Sequence, residues 1–236
     1  MKAVAIVLAS GSGERFDAKN TPKHLTPILG VPIMIWTLKT IIKSNIFSSI
    51  IVVTRDQDLL NTKKAIRKYL AKSPSYIKLT SGSNERMKSF FLGLEYLNNL
   101  NLLNQKTIIG LFDANRPFSP KAQLDELYAL AQEFGSSCPV RAAVNGVAEI
   151  KLKRIVSVPE KSNYVEFVTP EFIKFEILET YFKDKKNTIN SLVEYALDSK
   201  LNPATCKASL LNSKLTFPED KVFLEGLAKD MNLNKD

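Results

Sequence analysis

The sequence predicts an α/β fold: a mostly parallel, doubly wound sheet from which a β-arm protrudes. Three observations carry this. Apolar runs alternate with helix-period segments through residues 3–140, the pattern of a sheet whose helical crossovers cover both faces. The first run, Ala3 to Ala9, empties into a small glycine-bearing loop, which is how such sheets bring backbone N–H groups to an anionic ligand. Beyond Cys138 the texture changes, and residues 147–158 show alternation without a helix period.

Taken in order, Ala3–Ala9 reads as a buried strand. Apolar residues at 31, 34, 35, 38, 41 and 42 put a helix over Val31–Ile42. Ile50–Thr54 is a short β-branched strand and Leu59–Leu70 a lysine-rich surface helix. Tyr76–Thr80 is a weaker strand, followed by a helix over Glu85–Leu100 with Met87, Phe90, Phe91, Leu94 and Leu97 on one side. Thr107–Phe112 is a buried strand. Ser119 and Pro120 then open a helix to Phe134, with serine as cap and proline at the first helical position. Cys138–Val144 is one more strand, and Val147–Val158 a hairpin or extended arm. Helical patterns cover Pro170–Phe182 and Thr188–Asp198, and Thr205–Leu210 suits a final strand. Thr216 to Glu219 is a capping box that opens the last helix. No repeat or linker divides the chain, so residues 1–236 are expected to form one domain with a dimerisation arm at about 147–168.

Composition narrows the function. With 236 residues, 44% hydrophobic and 24% charged, the chain is large enough for a real core and ordinary for a soluble protein. No apolar run approaches the roughly 20 residues a bilayer requires, and the N-terminus is a strand pattern and not a signal peptide. No membrane association and a cytoplasmic location are therefore expected. The two cysteines, Cys138 and Cys206, lack the spacing of a zinc site or disulfide framework. The excess of 33 basic over 24 acidic residues is dispersed, densest on helix faces such as Lys63, Lys64, Arg67 and Lys68. Without an arginine block, finger spacing or RNA-binding aromatic motif, no nucleic-acid partner is expected. A solvated surface, or attraction of small polyanions such as nucleotides and phosphorylated sugars, remains.

Three loops that follow predicted strands hold the chemistry. Leu8-Ala-Ser-Gly-Ser-Gly-Glu-Arg15 is not a Walker loop, since no Gly-Lys-Ser/Thr closes it, nor a dinucleotide fingerprint, since Phe16 takes the third glycine position. Turn glycines alone would explain Gly11 and Gly13. Arg15 and Lys23 add full positive charges for phosphate oxygens, with Pro22 stiffening the approach to Lys23. Ser81 to Ser89 offers small and amide side chains for a base edge, or a helix start capped by Ser83 or Asn84. Phe112-Asp-Ala-Asn-Arg-Pro117 places Asp113 at the crevice expected beyond a parallel sheet's carboxyl ends, with Arg116 three residues on, either as a phosphate clamp or as a surface ion pair.

Together these loops resemble the cytidylyltransferases that activate 2-C-methyl-D-erythritol 4-phosphate, and relatives acting on ribitol phosphate and similar polyol or sugar phosphates. The resemblance rests on Gly13-Glu-Arg-Phe16, Pro22-Lys-His24, Gly82 to Ser89, Asp113-Ala-Asn-Arg-Pro117, Thr169-Pro-Glu-Phe172 and Lys214-Leu-Thr-Phe-Pro-Glu-Asp220, in family order. It implies a Rossmann-like sheet of the nucleotide-diphospho-sugar transferase type, and CMP transfer from CTP with Mg²⁺ bound mainly through the CTP phosphates. Ala9, Ser10, Gly11, Gly13, Gly82, Asn84, Ser89, Asp113 and Ala114 would bind the nucleotide. Arg15, Lys23 and Lys214 would be the catalytic cations. Asp113, Arg116 and Thr169 would face the acceptor phosphate, joined by Lys161 from the arm of a homodimer partner. No dedicated protein metal site is implied.

The departures bear on the acceptor. Asn84 stands for the usual Asp, Asn115 for Ala or Val, and Lys161 for an arginine, which keeps charge but loses the planar fork. The Thr-Asp segment before the second helix reads Asn187-Thr-Ile-Asn190, and the arm's Asp-Thr-x-Lys reads Val147-Ala-Glu-Ile150. A site with different polar contacts selects different hydroxyls, and the Val158-Pro159 spacing is closer to the ribitol-phosphate relatives. The expected activity is therefore CMP transfer to a polyol or sugar phosphate. The methylerythritol phosphate reaction of isoprenoid precursor synthesis is the alternative, ahead of an inactive nucleotide-binding homologue.

Overall fold

The computed structural model describes residues 3–11, 16, 22–70, 75–184 and 189–231, excluding the side chains of residues 180–184. The first strand, β1 (Ala3–Leu8), is buried along its whole length, and its side chains alternate between two cores. Ala3, Ala5 and Val7 point into one core, and Val4, Ile6 and Leu8 into the other. A strand covered on both faces must be apolar at every position, which is what this sequence supplies.

A small β2–β3 pair (Pro27–Ile28 and Val31–Pro32) leads into α1 (Ile33–Ser44). The expected helix therefore starts two residues late, because Val31 precedes Pro32 and is held extended opposite Ile28. Next come β4 (Phe47–Thr54), α2 (Leu59–Tyr69), β5 (Ile77–Ser81), α3 (Arg86–Asn99), β6 (Ile108–Asp113), α4 (Lys121–Phe134) and β7 (Ser136–Ala142). β1 pairs in parallel with both β4 and β6, and β4 with β5. Gly93 allows α3 to lie close on the sheet, since a Cβ there would come within 2.8 Å of Val53 and 3.1 Å of Ile6.

The second half completes the sheet. A hairpin, β8 (Glu149–Lys151) and β9 (Arg154–Ser157), forms the expected arm, followed by β10 (Val165–Phe167), which sequence patterning does not indicate. β11 (Glu171–Lys174), α5 (Phe175–Asp184), α6 (Leu192–Asp198), β12 (Ala204–Lys207) and α7 (Asp220–Asp230) follow. The main order is β10-β7-β11-β6-β1-β4-β5, with β12 parallel to β7. The expected helix over Pro170–Phe182 is corrected at its start. Phe172 and Ile173 sit fully buried in β11, which runs antiparallel between β6 and β7.

Two predicted caps are also corrected. Ser119 makes no cap bond and instead donates to Asn212 Oδ1, while Pro120 stands at the cap position of α4. The last helix begins at Asp220, whose Oδ2 accepts the N–H groups of Thr216 and Phe217, so the aspartate takes the Thr216 N–H that the capping box assigned to the Glu219 side chain. A third cluster, Ile28, Ile33, Trp36, Phe118, Leu215, Leu224 and Ala228, fastens α7 beside α1. No helix among the described residues is long and apolar enough to cross a membrane.

Candidate active site

The strand order reverses at β1: β4 and β5 lie to one side of it and β6 to the other. In an open parallel sheet, the crevice beyond the carboxyl ends of the strands at such a point is where ligands bind. The loops leaving β1, β5 and β6 start there as hydrogen-bonded extensions of the sheet. Ala9 N–H donates to Val53 O (2.8 Å), Gly82 N–H to Thr54 O (2.7 Å) and Ala114 N–H to Leu8 O (2.9 Å).

On the β5 side, Ser10 and Ser89 are both buried, and their hydroxyls are 2.8 Å apart. Ser89 Oγ also receives Ser83 N–H (2.9 Å), which folds the Gly82–Glu85 turn around it. Gly82 makes this approach possible: a Cβ would lie 2.7 Å from Val53 Cγ1, 3.0 Å from Ser89 Oγ and 3.2 Å from Ser10 Cβ. Asn84 and Gly11 are exposed beside this cluster, while Ala9 and Ala114 are buried in the core that α1 covers. Neither Ser83 nor Asn84 caps α3, whose cap position is Glu85 with no side-chain bond. Gly13 and Arg15 lie outside the described residues.

On the β6 side, positive charge converges on one carboxylate. Asp113 is only 8% exposed, with Lys214 Nζ at 2.7 Å, Arg86 Nη2 at 3.5 Å and Arg116 Nε at 3.8 Å. Burial opposes its ionisation, but Lys214, Arg86 and Arg116 outweigh that and hold the carboxyl well below the usual carboxylate range. Lys214 is carried by a segment bracketed to the β6 loop: Asn115 Nδ2 donates to Leu215 O (2.6 Å) and Leu215 N–H to Asn115 O (3.0 Å). Lys23, in a single 3₁₀ turn, donates to Thr216 O (3.1 Å), so the two expected catalytic lysines meet on one short stretch of chain. Its neighbour His24 points the other way, buried against Thr62 Oγ1 at 2.9 Å.

Four residues of this network carry no role in the sequence reading. Arg86 bridges Asp113 to Glu171 (3.0 Å), and Glu171 Oε2 accepts the N–H groups of Leu192 and Val193 at the start of α6. Asn212, fully buried, donates to Thr169 O (2.7 Å), and its own carbonyl accepts Arg116 Nη1 (2.9 Å) and Arg141 Nη2 (3.3 Å). The available signal is Glu171, a charge directly before the apolar pair Phe172 and Ile173, since a carboxylate buried with them requires a partner. Thr169 is buried, and its hydroxyl has no hydrogen-bond partner among the described residues. Lys161 lies apart from this cluster on the arm, exposed, with Nζ donating to Val144 O at 2.6 Å.

A doubly wound sheet with a cation-ringed carboxylate at its switch point has the architecture of a nucleotidyltransferase. The sequence model of the 2-C-methyl-D-erythritol 4-phosphate cytidylyltransferase (IspD) family matches residues 3–226, and the chain belongs to that family of CTP-dependent cytidylyltransferases. Solved structures of similar shape include a 4-diphosphocytidyl-2C-methyl-D-erythritol synthase (TM-score 0.79, 16% identity, 96% of this chain and 98% of that one). The 2-C-methyl-D-erythritol 4-phosphate cytidylyltransferase of Francisella tularensis follows (0.76, 19%, 94% and 98%), and that of Thermus thermophilus (0.73, 18%, 97% and 100%). At these identities the likeness is one of fold.

Proposed function

We propose that the chain transfers CMP from CTP to 2-C-methyl-D-erythritol 4-phosphate, releasing pyrophosphate. The family match supports the reaction, and the Lys23–Thr216 and Lys214–Asp113 contacts are the single arrangement that best supports its location. A phosphate oxygen of the acceptor attacks the α-phosphorus in line, and pyrophosphate leaves. This needs no protein nucleophile, only like-charged reactants held together and charge stabilised on the phosphorus oxygens. In this reading Ser10, Gly11, Gly82, Asn84 and Ser89, with Ala9, Gly13 and Ala114, hold the nucleotide. Lys23, Lys214 and Arg15 neutralise the phosphates, while Asp113, 2.7 Å from Lys214 Nζ, keeps that lysine aimed. Arg116 and Thr169 take the acceptor phosphate.

Among the described residues no group of three metal-ligating side chains forms, and Asp113 is already surrounded by cations. A hard cation therefore fits the triphosphate oxygens better than a protein cage. Mg²⁺ brought in by CTP would supply further charge neutralisation at the phosphates.

A homodimer is part of the proposal. Val144, Ile150, Leu152, Ile155, Val156 and Val158 on and beside the arm are exposed, from 51% to 97%, and such a concentration of exposed apolar side chains suits a surface that a partner covers. A cytoplasmic setting accords with two buried free cysteines.

One observation favours a second acceptor class, another polyol phosphate such as D-ribitol 5-phosphate. Lys161 donates to the Val144 carbonyl beside the arm, and Val147-Ala-Glu-Ile150 stands where Asp-Thr-x-Lys is usual, so acceptor hydroxyls would meet different partners. Turnover of both phosphates by the purified chain with CTP and Mg²⁺, followed by pyrophosphate release, tests the proposal. Activity with ribitol phosphate alone selects the second reading, and none with either rejects both.

A further inference from the structure

On the acceptor side of the sheet a cavity of about 300 Å³ opens between β7, β10 and the segment leading to α7. Arg116, Arg141, Ser213, Lys214, Glu166 and Asp220 line it. Arg116 and Lys214 already have roles in the proposed reaction; Arg141, on β7, has none. Both guanidiniums reach the same acceptor, the carbonyl of Asn212, so two full positive charges are fixed side by side. The Nε of each is buried with no hydrogen-bond partner among the described residues. Two like charges so close repel each other unless an anion lies between them. Burial and the neighbouring Arg141 and Arg86 lower the Arg116 pKa against the pull of Asp113.

The carboxylates on hand do not resolve this. Asp113 is shared among Lys214, Arg86 and Arg116. Asp220 receives two backbone N–H groups through Oδ2. Glu166 stands opposite Arg141 on the antiparallel β10, on an exposed strand. What the pair suits is a tetrahedral dianion, which planar guanidinium forks bind through two N–H groups each. β7 is two strands from β6, so at the usual spacing Arg141 is roughly 10 Å from the β6 end on the side away from the nucleotide loops. A triphosphate held at the β1 loop would leave this position to the other substrate.

We propose that Arg141 binds the phosphate of the acceptor, forming with Arg116 a two-arginine clamp supplied by one chain. This rests on the acceptor site lying at the Lys214–Arg116 side of the crevice, as read above. The clamp supplies the planar fork that Lys161 lacks.

The test is steady-state pyrophosphate release by the full-length chain, varying 2-C-methyl-D-erythritol 4-phosphate at saturating CTP and then the reverse, with D-ribitol 5-phosphate as a second acceptor series. Arg141→Gln should raise the acceptor KM about tenfold or more while the CTP KM stays within about twofold, and Arg141→Lys should fall between. A general folding defect would not split the two constants in this way. Arg116→Gln is run beside it. If Arg116→Gln raises the acceptor KM and Arg141→Gln does not, the Arg141 assignment is overturned and the acceptor site stands. If neither variant moves it, or the wild type turns over neither acceptor, the acceptor-site reading fails and the clamp fails with it.

Discussion

Asp113 and His24 show how similar burial gives opposite outcomes for two side chains. Asp113 keeps its charge because three cations surround it. His24 has no such help: burial first, with Arg55 adding and Asp58 opposing, pushes its imidazole from about 6.5 down to about 4. An unfolded chain takes up that proton as pH falls through 6.5, whereas the folded one resists until about 4. The stability His24 contributes is therefore complete above pH 6.5 and is lost on acidification towards 4, by about 2–3 kcal/mol at pH 4.5. Urea unfolding at pH 7 and pH 4.5 should show the wild type losing more stability than His24→Gln by that margin. Equal losses would show that the buried imidazole does not drive the effect. Gly82→Ala belongs at the same scale. Its Cβ has no room beside Val53 and Ser89, so the overpacking should cost about 1–3 kcal/mol and raise the CTP KM through the displaced Ser10–Ser89 pair. A variant with unchanged CTP affinity would remove Ser10 and Ser89 from the nucleotide site.

At the scale of elements, the site is held by brackets between segments far apart in sequence. Asn115 grips Leu215 across a sequence separation of 100 residues and so fixes where Lys214 emerges. Asn115→Ala keeps the backbone half of the bracket and removes the side-chain half. It should lower stability by about 1 kcal/mol and cut kcat by about tenfold with little change in CTP KM, since misaimed charge is felt mainly in the transition state. An unchanged kcat would mean that Lys214 is placed by Asp113 alone.

The same brackets explain what could be read beforehand. The β1, β5 and β6 loops were legible because each keeps its chemistry within a few consecutive residues after an apolar run. Arg86–Glu171, Arg141 and Asn212 were not, because each acquires meaning only when β11, β7 and the α7 approach are brought together. The misread start of the Pro170–Phe182 segment has a related cause. Phe172, Ile173, Phe175 and Leu178 suit a helix period as well as a short strand running into a helix. Only the slot between β6 and β7 decides for the strand.

Across the whole molecule, one continuous sheet would support both halves of the proposed reaction, with the nucleotide loops read towards β5 and the acceptor groups towards β7. The arm extends from the acceptor half, and its apolar residues accord with a second copy covering it. Ile150 and Ile155 face each other in the β8–β9 register and are exposed by 66% and 69%. Sedimentation should find a dimer for the wild type and a monomer for Ile155→Glu, with the fold intact by circular dichroism. A monomeric wild type at micromolar concentration, or a dimeric variant, would assign the arm another role.

The central claim, that Lys23 and Lys214 together promote CMP transfer from CTP, is tested most directly by one assay. The purified chain is given CTP, Mg²⁺ and 2-C-methyl-D-erythritol 4-phosphate or D-ribitol 5-phosphate, and pyrophosphate and the CDP-linked product are quantified together. The two should appear in equal amounts, and Lys23→Ala and Lys214→Ala should each slow their formation by about 10²–10³-fold, as removal of a transition-state charge partner does. Product formation at the wild-type rate in either variant, or no CDP-linked product from the intact chain, would contradict it.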